Sequence, residues 1–159
     1  MGCLTCQILQ GDLIPPGGIF YRDQDFLICH TLDVNILGYM IVSPVRHIQS
    51  YDELSSKEAE KLGLHIHILT RFLKTKIHDI EKTYICSFNE ETHHLHFHVF
   101  PRYPWMLSSE NIHTDGKIDA AKIFSQMRKT YKVGINEEMK NKIYLLAEQF
   151  KVFLSEYKD

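Results

Sequence analysis

Residues 94–99 alternate strictly: His94, His96 and His98 are separated by Leu95 and Phe97, and Val99 follows. Period-two alternation marks a β-strand with one buried face, because side chains at i, i+2 and i+4 point the same way. Leu95, Phe97 and Val99 are therefore expected to face a core, with three imidazoles lining the opposite face. Phe97 and Val99 favour strand, and Pro101 is expected to stop it. The stretch HHLHFHVFPR, 93–102, places four of the chain's 10 histidines within six positions. A row of titratable rings adds little to stability, so it points to chemistry.

Two chemistries use such a row. One is a three-histidine metal site. The other is nucleophilic catalysis, in which a neutral imidazole attacks phosphorus and forms a phospho-histidine. Same-face neighbours on a strand stand roughly 6.6 Å apart, so the row spans about 13 Å. Three ligands must converge on one point, and this spread favours the nucleophile for at least part of the row.

The length of 159 residues suits one domain with a sizeable core, and 44% hydrophobic with 24% charged residues is ordinary for a globular protein. The net charge of -2, without a run of Lys or Arg, gives no grip on long nucleic acid. A small anionic ligand held by local groups stays open. No apolar stretch reaches the length of a membrane span, and the start MGCLTCQIL lacks the regions of a signal peptide. Four cysteines without an export signal suggest a reducing compartment, so a cytoplasmic protein without disulfides is expected.

Along the chain, GDLIPPGG (11–18) is a turn cluster, 19–21 and 25–30 read as strands, and 39–44 as a third strand closed by Pro44. Ser55 with Glu58 forms a capping box, and Leu62, Ile66, Leu69, Leu73 and Ile77 recur at helical spacing, predicting a helix to about residue 77. His65 and His67 are expected to be surface or boundary residues. A strand over 83–88 precedes the histidine strand. Residues 104–117 look irregular, 118–131 can form a helix, and a last helix should start near Asn136. Its stripe of Ile143, Leu146, Ala147, Phe150, Leu154 and Tyr157 predicts core or dimer packing.

Cys3 and Cys6 form a C-x-x-C pair. Two cysteines can supply half of a tetrahedral zinc site, with two histidines completing it. His47 and one member of the row are candidates.

The segment HLHFHVF (94–100) resembles the signature of the histidine triad (HIT) superfamily of nucleotide hydrolases and transferases. CLTCQILQGDLIP, GIFYRDQDFLIC and GYMIVSPVRHI are similar, in order, to the family's amino-terminal segments, so the resemblance covers roughly residues 3–102. With it goes an α+β fold of about five mostly antiparallel strands and a packed helix, to which the helical pattern after residue 103 adds a helical C-terminal extension. The expected division is a catalytic core at 1–102 and an extension of a loop plus two helices at 103–159, in one compact domain. The resemblance further implies that His96 is the nucleophile toward the α-phosphorus and that His98 positions or stabilises the phosphate. Cys3, Cys6, His47 and His94 would hold a structural Zn²⁺. It implies a homodimer and a small nucleotide or phosphate-ester substrate, either a dinucleoside polyphosphate or a nucleoside phosphoramidate.

The chain departs from the family pattern at two places. The position where the family has an Asp or Asn for the ribose is Thr31, with His30 beside it and Asp33 nearby. The loop before the triad, SFNEETHH, is short and lacks the family's Gly-Gln. Asn89 and Thr92 are the expected phosphate donors there, and Glu90 and Glu91 would repel phosphate. Trp105, in the long segment after the triad, is expected to border the substrate. Two rivals remain: a nucleotide-binding or interaction module with little turnover, and a metal-dependent phosphoesterase using the histidine row.

Overall fold

The computed structural model describes residues 2–157. Short helix α1 (Leu4–Gln10) comes first, followed by strands β1 (Ile19–Arg22), β2 (Phe26–His30) and β3 (Met40–Pro44). Helix α2 (Ser56–Lys76), strands β4 (Lys82–Cys86) and β5 (Phe97–Arg102), and helices α3 (Ala120–Tyr131) and α4 (Glu137–Glu156) complete the order. The strands form one antiparallel sheet in the order β1-β2-β3-β5-β4. This is the expected α+β architecture.

The sheet is covered on both faces, which is why every residue of β2 and β5 is buried. On one face, Phe26, Ile28, Met40, Val42, Phe97 and Val99 join Leu69, Phe72 and Leu73 of α2 and Phe150 of α4 in the main core. Phe150 packs on both Phe20 and Phe72. On the other face, Leu27 and Cys29 pack against Ile8 of α1, while Phe124 of α3 lies against Tyr39, His98 and Phe100.

The capping box of α2 forms as expected: the Glu58 amide donates to Ser55 Oγ, and the Ser55 amide donates to a Glu58 carboxylate oxygen. Arg46 adds a fork onto the same carboxylate, Nε at 2.6 Å and Nη2 at 2.8 Å. That charge-assisted pair is the main reason the Glu58 carboxyl is held down to about 2.

Three expectations need correction. The regular part of β5 starts at Phe97, not at His94. The Leu95 amide donates to the Ile48 carbonyl, and the His96 amide to Asn89, so these residues pair outside the sheet. Pro101 does not end the strand: it pairs with Thr83. The β3 ladder is described only up to Met40 opposite Val99, so the missing proline N–H falls where one side of β5 is open. The N-terminus, for which the sequence predicts no element, is helical over about two turns, with too few apolar positions to show a period. Cys3 Sγ caps it by accepting from the Cys6 amide, and Gly11 closes it in the left-handed region at φ 85°. Finally, His65 is buried, its ring against Tyr21 and Phe26 and its Nε2 3.1 Å from Asp23 Oδ2; His67 is exposed as expected. Of the α4 stripe, Ile143, Leu146, Ala147 and Phe150 are buried, and Tyr157 lies just past the helix end, where Arg71 sits over its ring.

Candidate functional site

Because β5 is central in the sheet, the residues leading into it are held from both sides, and the three histidines take different directions. His94 is fully buried and donates from Nε2 to the Pro44 carbonyl at 2.9 Å. That bond leaves Nδ1 as the unprotonated nitrogen, 3.2 Å from Cys3 Sγ and 3.8 Å from Cys6 Sγ. Cys6 Sγ lies 3.3 Å from His47 Nδ1, and the donor atoms of Cys3, Cys6, His47 and His94 lie within 4.8 Å of one another.

A tetrahedral zinc with Zn–S near 2.3 Å and Zn–N near 2.0–2.1 Å sets S···N edges of roughly 3.6 Å. The donor set and its spacing fit that ion. Burial, then the neighbouring Cys3 sulfur, push the Cys6 thiol up, so Cys6 holds its proton until a cation displaces it.

His96 and His98 turn instead into a cleft on the α1/α3 face of the sheet. His96 Nδ1 donates to the His94 carbonyl at 2.8 Å, so its Nε2 carries the lone pair. Burial first of all holds the ring neutral by lowering its pKa. The backbone of His96 is clamped on both sides. Its amide donates to Asn89 Oδ1 at 3.0 Å, and its carbonyl accepts from Ser87 Oγ at 2.7 Å. Asn89 Nδ2 closes the loop on Ser87 Oγ at 3.0 Å. Asn89 takes φ 58°, a left-handed conformation that asparagine tolerates better than most residues.

His98 stacks edge-on to His96, ring centroids 4.8 Å apart, and its Nδ1 lies 2.9 Å from the Tyr39 hydroxyl. Burial, then the neighbouring His96, depress it to about 3. Two neutral imidazoles therefore share the cleft near neutral pH.

The other expected site residues divide. Thr31 and Thr92 line the cleft with His96 and His98. His30 also borders it, but its Nδ1 and Nε2 lie 2.9 and 3.0 Å from the Thr31 and Ile36 carbonyls; burial holds the ring down to about 4, so its single N–H goes to one of these carbonyls. Asn89 is spent on His96 and lies outside the cleft lining. Trp105 also lies outside it, stacked on Tyr103 and edge-on to Tyr131. Its place at the rim is taken by α3, whose Arg128 and the following Lys132 line the cleft. Sequence reasoning missed both, although Phe124, Arg128 and Lys132 recur at helical i, i+4 spacing.

The sequence profile of the HIT domain matches residues 15–105, more than half of the chain. The chain belongs to the HIT family. Over 111 residues it is 23% identical to an uncharacterized HIT-like protein of Methanocaldococcus jannaschii, covering 64% of this chain and 79% of that protein. Its fold is similar to a Zn-bound histidine triad family protein from Mycobacterium smegmatis, with TM-score 0.66, 17% identity and 99% of both chains covered. It is equally similar to a hypothetical histidine triad nucleotide-binding protein from Sulfolobus tokodaii, with TM-score 0.67, 17% identity and 99% of both chains. HIT proteins are nucleotide-directed hydrolases and transferases as a class, and the cleft of this HIT protein holds the triad's second and third histidines. Among the described residues, no helix is long and apolar enough to cross a membrane.

Proposed function

We propose that this HIT protein is a nucleotide phosphohydrolase or nucleotidyl transferase that works through a covalent adduct on His96. One observation carries the reading: the His96 Nδ1–H is tied to the His94 carbonyl, leaving Nε2 as a neutral nucleophile in a cleft beside His98. Nε2 attacks the α-phosphorus, and the bond from phosphorus to the leaving group breaks. The P–N adduct is then attacked by water or another acceptor, and the imidazole is released unchanged. His98, held by Tyr39, orients the phosphoryl group, and Thr31 and Thr92 offer hydroxyls along the cleft.

Cys3, Cys6, His47 and His94 would hold one zinc. With four protein ligands no position is left for water, so the ion would be structural and would tie α1 to the strand that carries the nucleophile. The core at 1–102 would supply the chemistry, with 103–159 part of the same domain. The protein would act as a homodimer in the cytoplasm on a small nucleotide.

Alkaline denaturing quench, which spares the acid-labile P–N bond, of a single turnover with a nucleotide labelled at the α-phosphorus, followed by peptide mass analysis, tests the reading. The label is expected on His96 and is absent in His96→Ala. Turnover without any histidine adduct would reject it.

A further inference from the structure

We propose that Arg128 and Lys132 form a polyphosphate-binding wall on the rim of the cleft, selecting substrates whose leaving group is a phosphate oxyanion rather than an amine. The proposal rests on the nucleotide-directed reading above and narrows its substrate class to phosphoanhydrides.

Four observations converge. First, both cations line the same cleft as His96 and His98 but belong to the C-terminal part of the chain, after the segment that matches the family. Second, Arg128 is held in place: its guanidinium lies over the Phe124 ring at 5.4 Å and beside the Tyr39 hydroxyl, and Phe124 packs against His98 at 5.4 Å. Third, Arg128 Nε is buried without a hydrogen-bond partner. Fourth, the carboxylates nearby are loose partners. Arg128 Nη2 and Lys132 Nζ each stand 4.0 Å from one oxygen of Glu91, and Lys132 Nζ stands 3.7 Å from Asp33. Charge-assisted hydrogen bonds close to about 2.7–2.9 Å, so these cations retain donors for an incoming anion. Glu91 also sits in the shortened loop, where the family's Gly-Gln phosphate contacts are absent from this sequence.

The chemistry of departure decides what such a wall is for. When His96 Nε2 displaces a phosphoanhydride, the P–O bond breaks and the bridging oxygen leaves with the electron pair as a phosphate oxyanion. Negative charge grows on the outer phosphate, and a fixed guanidinium and ammonium stabilise it without a proton. When it displaces a phosphoramidate, the P–N bond breaks and the leaving nitrogen must take up a proton. Its departure as an amine or ammonium gains nothing from two cations and is opposed by them.

Calorimetry on the full chain with inorganic pyrophosphate and inorganic phosphate isolates the wall from base recognition and from turnover. Wild type is expected to bind pyrophosphate at least about tenfold more tightly than phosphate. Arg128→Gln should erase that preference, and Arg128→Lys should restore part of it. Equal affinity for the two anions in wild type, or a preference that survives in Arg128→Gln and in Lys132→Gln, would overturn the proposal. In turnover, Arg128→Gln should lower kcat/KM on a dinucleoside polyphosphate by about 10²-fold, the usual loss for one preorganised charge donor, and on a nucleoside phosphoramidate by less than about threefold. Equal losses on both overturn the selectivity and leave the hydrolase reading standing. An Arg128-dependent pyrophosphate preference without any His96 adduct would sink the hydrolase reading and leave the anion wall.

Discussion

Replacing Cys6 by serine separates the two tasks the histidines are given. Cys6 lies 88 positions from His94 and 41 from His47, so a metal bridging them closes long loops in the unfolded chain. In the chain-entropy treatment of cross-links, a loop near 90 residues is worth about 4.6 kcal/mol. For a domain of this size each kcal/mol moves the Tm by about 2–4 °C, giving an upper bound near 10–18 °C for complete loss of the tie. Contacts that α1 makes without metal, chiefly Ile8 on Leu27 and Cys29, remain in the variant. A fall on the order of 10 °C is therefore expected for Cys6→Ser and for wild type in excess chelator. Activity should fall only in part, because His96 takes its tautomer from the His94 carbonyl rather than from the ring. His96→Asn should lose turnover and keep its metal. The assays are metal analysis by mass spectrometry, differential scanning calorimetry and nucleotide turnover. One zinc per chain retained in Cys6→Ser, zinc lost from His96→Asn, or a Tm change under about 2 °C on metal removal would refute the reasoning.

His96→Ala should lower turnover by more than about 10⁴-fold, beyond the loss of a general acid or base, while the circular dichroism spectrum stays unchanged; a variant with a tenth of wild-type rate would not be missing its nucleophile. Asn89→Ala removes the acceptor of the His96 amide and one donor to Ser87, and should cost about 1–3 kcal/mol of stability as well as rate, read by urea unfolding; unchanged stability would mean the clamp is not formed. His98 is buried and its folded pKa, about 3, lies below the ordinary histidine value near 6.5, so the unfolded chain binds the extra proton between those limits. Stability should then fall as pH drops below about 6.5, with His98 contributing a slope of about 1.4 kcal/mol per pH unit that is missing in His98→Asn; equal slopes in the two proteins would count against it. Because Trp105 lies outside the cleft lining, its emission should not shift when the cleft is saturated with nucleotide; a shift would bring the segment after β5 over the site.

Local rules in the chain settle a good deal by themselves. The alternation at 94–99 assigns Leu95, Phe97 and Val99 to the core, and all three are buried there. The Ser55–Glu58 box starts α2, and the period of Leu62, Leu69 and Leu73 decides which face it buries. The order of the matching segments was enough to name the family, since its motifs are short and contiguous. Tertiary structure decided the rest, because the deciding partners are distant in sequence. His94 faces two sulfurs and His96 does not, although spacing treats them alike; the Pro44 carbonyl and the Ile48–Leu95 pairing turn the first out of the sheet. Asn89 looks like a phosphate donor until its Nδ2 is seen to donate to Ser87 Oγ and its Oδ1 to accept from the His96 amide. His65 reads as a boundary residue until Asp23, 42 positions away, gives its buried nitrogen a partner. Arg128 is an ordinary helical cation in the sequence and becomes part of the cleft only because Phe124, one turn earlier, anchors α3 against His98. Spacing along a chain fixes which side chains share a face; which partner satisfies each buried polar atom depends on what the fold brings to that face.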